Sequence, residues 1–122
     1  MKKLITLLLL SLFATVCGQV NADEYEKIFS SENILIDVRN PSEYQKGHLD
    51  KAINIPYSKI RSEIEKLAPN KEQTIVVYCL SGKRSKFTAK KLESMGYTNV
   101  INAGKYKDLK AREEKNRQNK SR

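Results

Sequence analysis

The chain has 122 residues and carries 23 Lys and Arg residues against 14 Asp and Glu residues, for a net charge of +9. This length allows one small domain with a modest core, and the sequence contains no internal repeat. Two cysteines and one histidine form no ligand cluster, so we expect neither a metal site nor a cofactor.

The N-terminal segment has the features of a secretory signal peptide. Two lysines follow the initiator methionine, and the apolar run from Leu4 to Val16 is shorter than the roughly 20 residues that span a bilayer. Val20-Asn-Ala22 then fits the small-x-small pattern of a cleavage site. We therefore predict a signal peptide over residues 1–22 and export to the periplasm, without a stable membrane anchor.

The processing of this segment leaves alternatives open, and it decides how many cysteines the mature chain has. The segment could be retained as an anchor, the cut could follow Gly18, or Cys17 could be lipidated; a secreted protein is a further alternative. Cleavage after Ala22 would leave Cys79 as the only cysteine. An intramolecular disulfide and thioredoxin-type dithiol chemistry would then both be excluded.

Strand and helix patterns alternate along the rest of the chain. Short β-branched and apolar runs indicate buried strands, and apolar residues at helical spacing indicate helices. The predicted strands are 34–38, 52–55, 74–79 and 99–102, and the predicted helices are 23–30, 41–46, 58–67 and 85–95. In the last helix we expect Phe87, Leu92 and Met95 to face inward. The alternation predicts an α/β fold with a mostly parallel central sheet flanked by helices.

The C-terminal segment 110–122 contains six basic and two acidic residues and almost no apolar residue. Such a segment cannot bury a face, so we predict a solvated helix extension or a disordered tail after a domain that spans residues 23–109. Binding to nucleic acid or anionic lipid is the alternative for a basic run. Because the segment has no interleaved aromatic residues and the protein is expected to be exported, we expect no nucleic-acid partner.

Cys79 stands at the end of the predicted strand 74–79, before a glycine-containing turn and a basic helix. Open α/β sheets bind ligands at the C-terminal ends of their strands. The N–H groups of a helix start, together with Lys83 and Arg84, favour the thiolate, which is the nucleophilic form of cysteine. The alternative is an inert core cysteine, because free cysteine is among the most buried residue types.

Two spaced motifs carry a family resemblance. They are Asp37-Val-Arg39-x-Pro41-x-Glu43-Tyr44-x-x-Gly47-His48-Leu49 and Tyr78-Cys79-x-x-Gly82-x-Arg84-Ser85. In these motifs the chain resembles the rhodanese domain, and the match runs from Ile34 to Leu109. The resemblance implies a three-layer rhodanese-like fold and a sulfurtransferase. It also implies that Cys79 takes a sulfane sulfur from thiosulfate, becomes a persulfide, and passes the sulfur to cyanide or a thiol.

The loop after Cys79 is the predicted substrate-binding element, because thiosulfate is a dianion and the persulfide is anionic. We expect backbone N–H groups to surround the sulfur, and they belong to Leu80, Ser81, Gly82, Lys83, Arg84 and Ser85. The side chain of Arg84 either grips the sulfonate end of the donor or forms a salt bridge within the fold. Lys83 is expected to supply charge at the rim of the site.

The first motif supplies residues with supporting roles. Asp37, Arg39 and Glu43 are expected to form a polar network that organises the loops. His48, the only histidine, is expected to be a hydrogen-bonded structural residue, and a catalytic base is the alternative.

Two other functions are compatible with this kind of fold. A phosphatase or arsenate reductase needs a longer loop, and the four residues between Cys79 and Arg84 leave it one residue short. A non-catalytic binding module typically lacks the cysteine that this chain retains.

Overall fold

The structure is a computed structural model that describes residues 22–122. The predicted signal segment therefore lies outside the described residues, apart from Ala22, and so do Cys17 and Gly18. The elements in chain order are α1 (Ala22–Phe29), β1 (Ile34–Asp37), α2 (Pro41–Lys46), β2 (Ile53–Asn54), a 3₁₀ turn (Tyr57–Lys59), α3 (Ile60–Leu67), β3 (Ile75–Cys79), α4 (Lys83–Ser94), β4 (Val100–Lys105) and α5 (Tyr106–Lys120).

The four strands form one parallel sheet in the order β2-β1-β3-β4. β3 has a neighbour on each side, and all of its residues are buried, as its continuous β-branched and aromatic sequence indicates. Its pairing with β4 shifts by one residue between Val77 and Tyr78, so that Cys79 lies opposite Lys105. The predicted α/β fold with a parallel sheet is confirmed.

Helices cover both faces of the sheet, which gives three layers. One core lies beneath α3 and α4, and it includes Ile36, Val38, Ile60, Ile64, Val77 and Leu92. The other core lies beneath α1 and α5, and it includes Ile28, Leu35, Val76, Tyr78 and Leu109. Because successive strand residues point to opposite faces, Val77 and Cys79 enter the first core while Val76 and Tyr78 enter the second.

Helix α4 differs from the prediction in its start and in one of its inward residues. It begins at Lys83, and its buried residues are Ser85, Thr88, Ala89 and Leu92, which lie on one side of the helix. Phe87 is two residues from Ser85 and therefore points about 200° away from that side. It is 56% exposed, so the prediction that Phe87 faces inward is wrong.

Helix α5 crosses the predicted boundary between the domain and the tail. Leu109 and Glu113 are both buried and lie one helical turn apart. The Glu113 carboxylate accepts hydrogen bonds from the backbone N–H of Asp50, at 3.0 Å, and from the Lys110 ammonium, at 3.1 Å. The prediction that the segment after residue 109 buries no face is therefore wrong at Glu113, because a partnered carboxylate can be buried where an unpaired one cannot.

Within residues 22–122, no helix combines the length and the apolar character that crossing a membrane requires.

Candidate active site

Cys79 lies at the C-terminal end of β3, and its side chain is fully buried. Three residues separate the strand from α4, and the last of them, Gly82, has φ of 92°. Glycine adopts this left-handed conformation without the steric cost that a Cβ atom imposes, so Gly82 permits the tight turn. The turn places the first residues of α4 beside the Cys79 sulfur.

The Cys79 Sγ atom is held by hydrogen-bond donors from this turn. The N–H group of Gly82 donates to Sγ at 3.0 Å, and the N–H group of Ser85 donates at 3.4 Å. The Ser85 Oγ atom lies 3.5 Å from Sγ and 3.1 Å from the carbonyl oxygen of Gly82. A hydroxyl carries one proton, so Ser85 can turn it toward Sγ when the sulfur is a thiolate.

These donors set the acidity of the thiol. Burial raises the pKa of Cys79, but hydrogen bonds from the Ser85 hydroxyl and from the N–H groups of Ser85, Gly82 and Arg84 outweigh burial, so the pKa is lowered. The largest of the causes that lower the pKa of Cys79 are hydrogen bonds from local backbone groups and one hydroxyl. The pKa of Arg84 is raised in turn by the Glu43 carboxylate and, to a smaller extent, by the charge of Cys79. A thiol with this environment is present as thiolate at a lower pH than an ordinary cysteine.

The Ser85 hydroxyl has a testable effect on this acidity. We expect Ser85→Ala to raise the pKa of Cys79, because the variant loses a donor that stabilises the thiolate. The pH profile of persulfide formation from thiosulfate, measured in a single turnover, should shift to higher pH. Ser94→Ala in the last turn of α4 is the matched control, since the Ser94 hydroxyl donates to the carbonyl oxygen of Lys91. An unchanged pH profile in Ser85→Ala would show that the backbone donors suffice.

Arg84 forms a two-pronged ion pair with Glu43 of α2. Its Nη1 and Nη2 atoms lie 2.9 Å and 3.1 Å from the two carboxylate oxygens, and both side chains are about one quarter exposed. The Arg84 guanidinium lowers the pKa of Glu43, and the Glu43 carboxylate raises the pKa of Arg84. Of the two roles left open for Arg84, the structure shows the salt bridge. Its guanidinium pairs with the Glu43 carboxylate.

Asp37 and Arg39 form a buried ion pair at the end of β1. Their side chains are 0% and 4% exposed, and the Arg39 Nη2 atom lies 2.6 Å from Asp37 Oδ2. Arg39 also donates to the carbonyl oxygen of Gly47, at 2.7 Å, and its guanidinium lies 4.1 Å from the centre of the Tyr106 ring. The pair thus connects β1 to the end of α2 and to the start of α5.

His48 packs within its own segment of the chain. Its ring lies 3.7 Å from the Tyr44 ring, nearly parallel to it, and its Nδ1 atom is 2.8 Å from the Tyr44 carbonyl oxygen. These contacts fit a structural histidine, and the hydrogen-bond partners of the Cys79 sulfur described above lie in the loop and α4.

The other predicted loop residues lie at the surface. Leu80, Ser81 and Lys83 are exposed, and the Ser81 hydroxyl accepts the N–H of Lys83 at 3.4 Å. The structure thus brings Gly82 and Ser85 against the sulfur and leaves Leu80, Ser81 and Lys83 at the rim.

Two residues that shape the site were not predicted from the sequence. Thr88 is buried and its hydroxyl donates to the Arg84 carbonyl oxygen at 2.8 Å, which fastens the first turn of α4. Tyr106 stacks on Tyr78, with ring centres 6.1 Å apart, and lies beneath Arg39. A polar residue four positions after Arg84 was a signal for Thr88, whereas nothing local in the sequence links Tyr106 to Arg39.

Fold and site together define an α/β protein with a cysteine thiol in a loop of hydrogen-bond donors at the C-terminal edge of a parallel sheet. A profile of the Rhodanese-like domain matches residues 21–111. Thiosulfate sulfurtransferase PspE of Escherichia coli strain K12 is 43% identical over 82 residues, which cover 67% of this chain and 78% of PspE.

Solved structures agree with this match. A rhodanese with anions from E. coli is similar with a TM-score of 0.61 and 43% identity, over 62% of this chain and 89% of that one. The human single-domain sulfurtransferase TSTD1 is similar with a TM-score of 0.62 and 30% identity, over 71% of this chain and 89% of that one. The chain therefore belongs to the rhodanese-like domain family, and it is a sulfurtransferase.

Proposed function

We propose that this enzyme moves a sulfane sulfur from thiosulfate, through a persulfide on Cys79, to cyanide or a thiol. The observation that carries this proposal is the Cys79 Sγ atom with its donors from Gly82 and Ser85. Donors that stabilise a thiolate can stabilise the anionic outer sulfur of a persulfide in the same loop. The proposal is further supported by PspE, whose name specifies thiosulfate.

The first step charges the enzyme. The Cys79 thiolate attacks the outer, sulfane sulfur of thiosulfate, and a new S–S bond forms. The S–S bond of thiosulfate breaks, and sulfite leaves with its electron pair. The product is a Cys79 persulfide with one negative charge, so total charge is conserved and no external oxidant is needed.

The second step discharges the enzyme. Cyanide or a thiolate attacks the outer sulfur of the persulfide, and the bond between that sulfur and Cys79 breaks. The electron pair returns to Cys79 as thiolate, and thiocyanate or a new persulfide leaves. Because the thiolate is already formed, neither step needs a dedicated general base.

Charged side chains around the loop have separate roles in this proposal. Glu43 holds Arg84 in place, so Arg84 fixes the start of α4, and with it the N–H groups that face the sulfur. Lys83 is exposed at the rim and contributes positive potential that attracts the thiosulfate dianion. Asp37 and Arg39 support the neighbouring strand end and loop.

Intact-mass measurement after thiosulfate treatment tests the reaction class directly. We expect the protein to gain the mass of one sulfur atom and to lose it when cyanide is added, with thiocyanate as the product. Treated protein that never gains this mass would contradict the persulfide route.

The enzyme is further proposed to act in the periplasm, supported by the charged start, the apolar run and the Val20-Asn-Ala22 pattern of the sequence. We expect protein purified from producing cells to begin at Asp23. Mass spectrometry of the intact protein measures this, and the purified chain expressed from Asp23 is the mass standard. A chain that begins at a lipidated Cys17 would instead make it a membrane-anchored enzyme.

A further inference from the structure

Two aromatic side chains form an exposed contact beside the catalytic loop. Phe87 is 56% exposed and Tyr57 is 39% exposed, and their rings meet edge to face with centres 6.5 Å apart. Tyr57 lies near the C-terminal end of β1, because its N–H donates to the carbonyl oxygen of Val38, the residue after that strand, at 3.0 Å. The N–H of Val38 in turn donates to the carbonyl oxygen of Tyr78, the residue before Cys79, at 3.0 Å.

A third exposed apolar side chain lies in the catalytic loop itself. Leu80 follows Cys79 directly and is 55% exposed. We call Tyr57, Leu80 and Phe87 the mouth patch. Exposed apolar clusters next to a reactive group mark sites of interaction rather than of folding, because leaving them in water forgoes the free energy of burial.

The helix that bears Phe87 is strongly basic around the mouth patch. Residues 83–91 include five Lys and Arg residues and no acidic residue. Lys83 and Lys86 are exposed on the first turns of α4, and the Lys91 ammonium lies 5.0 Å from the centre of the Phe87 ring. Cations near a helix N-terminus oppose the helix dipole and destabilise the helix. The exposed lysines of the first turns therefore add positive potential beside the loop without stabilising the helix.

From these observations we propose that the mouth patch docks the protein that accepts the sulfur. The partner's contact surface is acidic around one apolar side chain and carries the acceptor thiol. This inference rests on the proposed function. Small anions such as thiosulfate use the positive charge but gain nothing from exposed aromatic rings, so the patch points to a larger acceptor. A membrane over the same face would shut the donor out of a loop that must admit donor and acceptor in turn.

The transfer to such a partner is balanced. The partner thiolate attacks the outer sulfur of the Cys79 persulfide and forms a persulfide on the partner. The S–S bond to Cys79 breaks, and its electron pair restores the Cys79 thiolate. Docking matters because Cys79 is fully buried, so the attacking thiol must be positioned over the loop.

Synthetic thiol peptides can test this docking. The first peptide places a leucine and a cysteine among glutamates, the second replaces the glutamates with lysines, and the third replaces the leucine with serine. Each peptide's rate of accepting sulfur from the enzyme is divided by the rate at which the same peptide thiol reacts with a low-mass disulfide. This ratio corrects for differences in thiol reactivity between the peptides. We expect kcat/KM to be highest for the first peptide, by about tenfold, the effect of one well-placed contact.

Variants of the surface then show whether the mouth patch causes the preference. Phe87→Ser should lower transfer to the first peptide by about tenfold, and Lys86→Glu should abolish its advantage over the lysine peptide. Phe87→Ser should keep the wild-type rate with cyanide. For Lys86→Glu, whose charge also acts on the thiosulfate dianion, the readout is the ratio of the rates with the first and second peptides. Ile53→Ser and Lys115→Glu are the matched controls, because these exposed residues lie on β2 and α5; they should change neither rate.

Several outcomes would overturn the docking proposal. Equal transfer to all three peptides, or an equal loss in the control variants, would show that the mouth patch selects nothing. Phe87-dependent sedimentation with vesicles of equal parts phosphatidylglycerol and phosphatidylcholine would assign the surface to a membrane. A wild-type enzyme that fails with cyanide would instead contradict the proposed function, and the docking proposal would fall with it.

Discussion

The Cys79→Ser variant is expected to lose sulfur transfer by at least about 10³-fold, as enzymes do when their nucleophile is removed. A serine hydroxyl at this position stays protonated at neutral pH, and it cannot form a persulfide. The measurement is thiocyanate formation from thiosulfate and cyanide. Intact mass after thiosulfate treatment should show no added sulfur.

The same variant should fold normally, which separates chemistry from structure. Only one atom changes, and the N–H groups of Gly82 and Ser85 that donate to sulfur in the wild type can donate to oxygen as well. We expect a cooperative thermal transition close to that of the wild type. A variant that kept most of its activity would assign the nucleophile elsewhere, and one that failed to fold would leave the mass test on the wild type as the decisive measurement.

The sequence predicted the parts of the site that depend on local signals. The β-branched run that ends at Cys79 identified β3, because buried parallel strands are apolar throughout. The glycine before a basic stretch located the turn into α4. Since parallel strands end at one edge, these two signals sufficed to place Cys79 where α/β proteins bind ligands.

Contacts between distant segments could not be predicted in the same way. Arg84 and Glu43 lie 41 positions apart, and Asp50 and Glu113 lie 63 positions apart. No local pattern states which of several partners a charged side chain will meet. Thus the two roles of Arg84 stayed open, and Glu113 was assigned to solvent in a segment whose composition was almost entirely polar.

The buried face of α4 was predicted wrongly for a different reason. Phe87, Leu92 and Met95 were given one face because large apolar residues usually set the buried side of a helix. Here Ser85 and Thr88 are buried instead, because Ser85 must reach the Cys79 sulfur and Thr88 must fasten the turn above it. The site fixes the rotation of the helix, and Phe87 is left in solvent as a consequence.

The buried pair Asp37–Arg39 leads to the second large effect, which is on stability. Arg39→Met keeps an apolar stem but removes the guanidinium, so the Asp37 carboxylate stays buried without its partner charge. Breaking a buried pair in this way lowers the free energy of unfolding by about 3–5 kcal/mol. The whole free energy of unfolding of a protein is only about 5–15 kcal/mol. Urea unfolding at fixed pH and ionic strength measures the loss. Glu65→Gln, which breaks an ion pair with Lys71 whose members are 64% and 40% exposed, is the control for loss of a surface pair and should cost about 0–1 kcal/mol.

A double variant shows whether the uncompensated charge is the cause. In Asp37→Asn/Arg39→Met the buried group is neutral, and an asparagine oxygen can still accept the N–H of residue 39, which Asp37 Oδ1 accepts at 2.9 Å in the wild type. The double variant should therefore be more stable than Arg39→Met alone, although it has lost more of the native interactions. If the double variant is less stable than Arg39→Met, the unpaired Asp37 charge is not the cause of the loss. The loss would then be assigned to the other contacts of Arg39, which are its hydrogen bond to Gly47 and its contact with the Tyr106 ring.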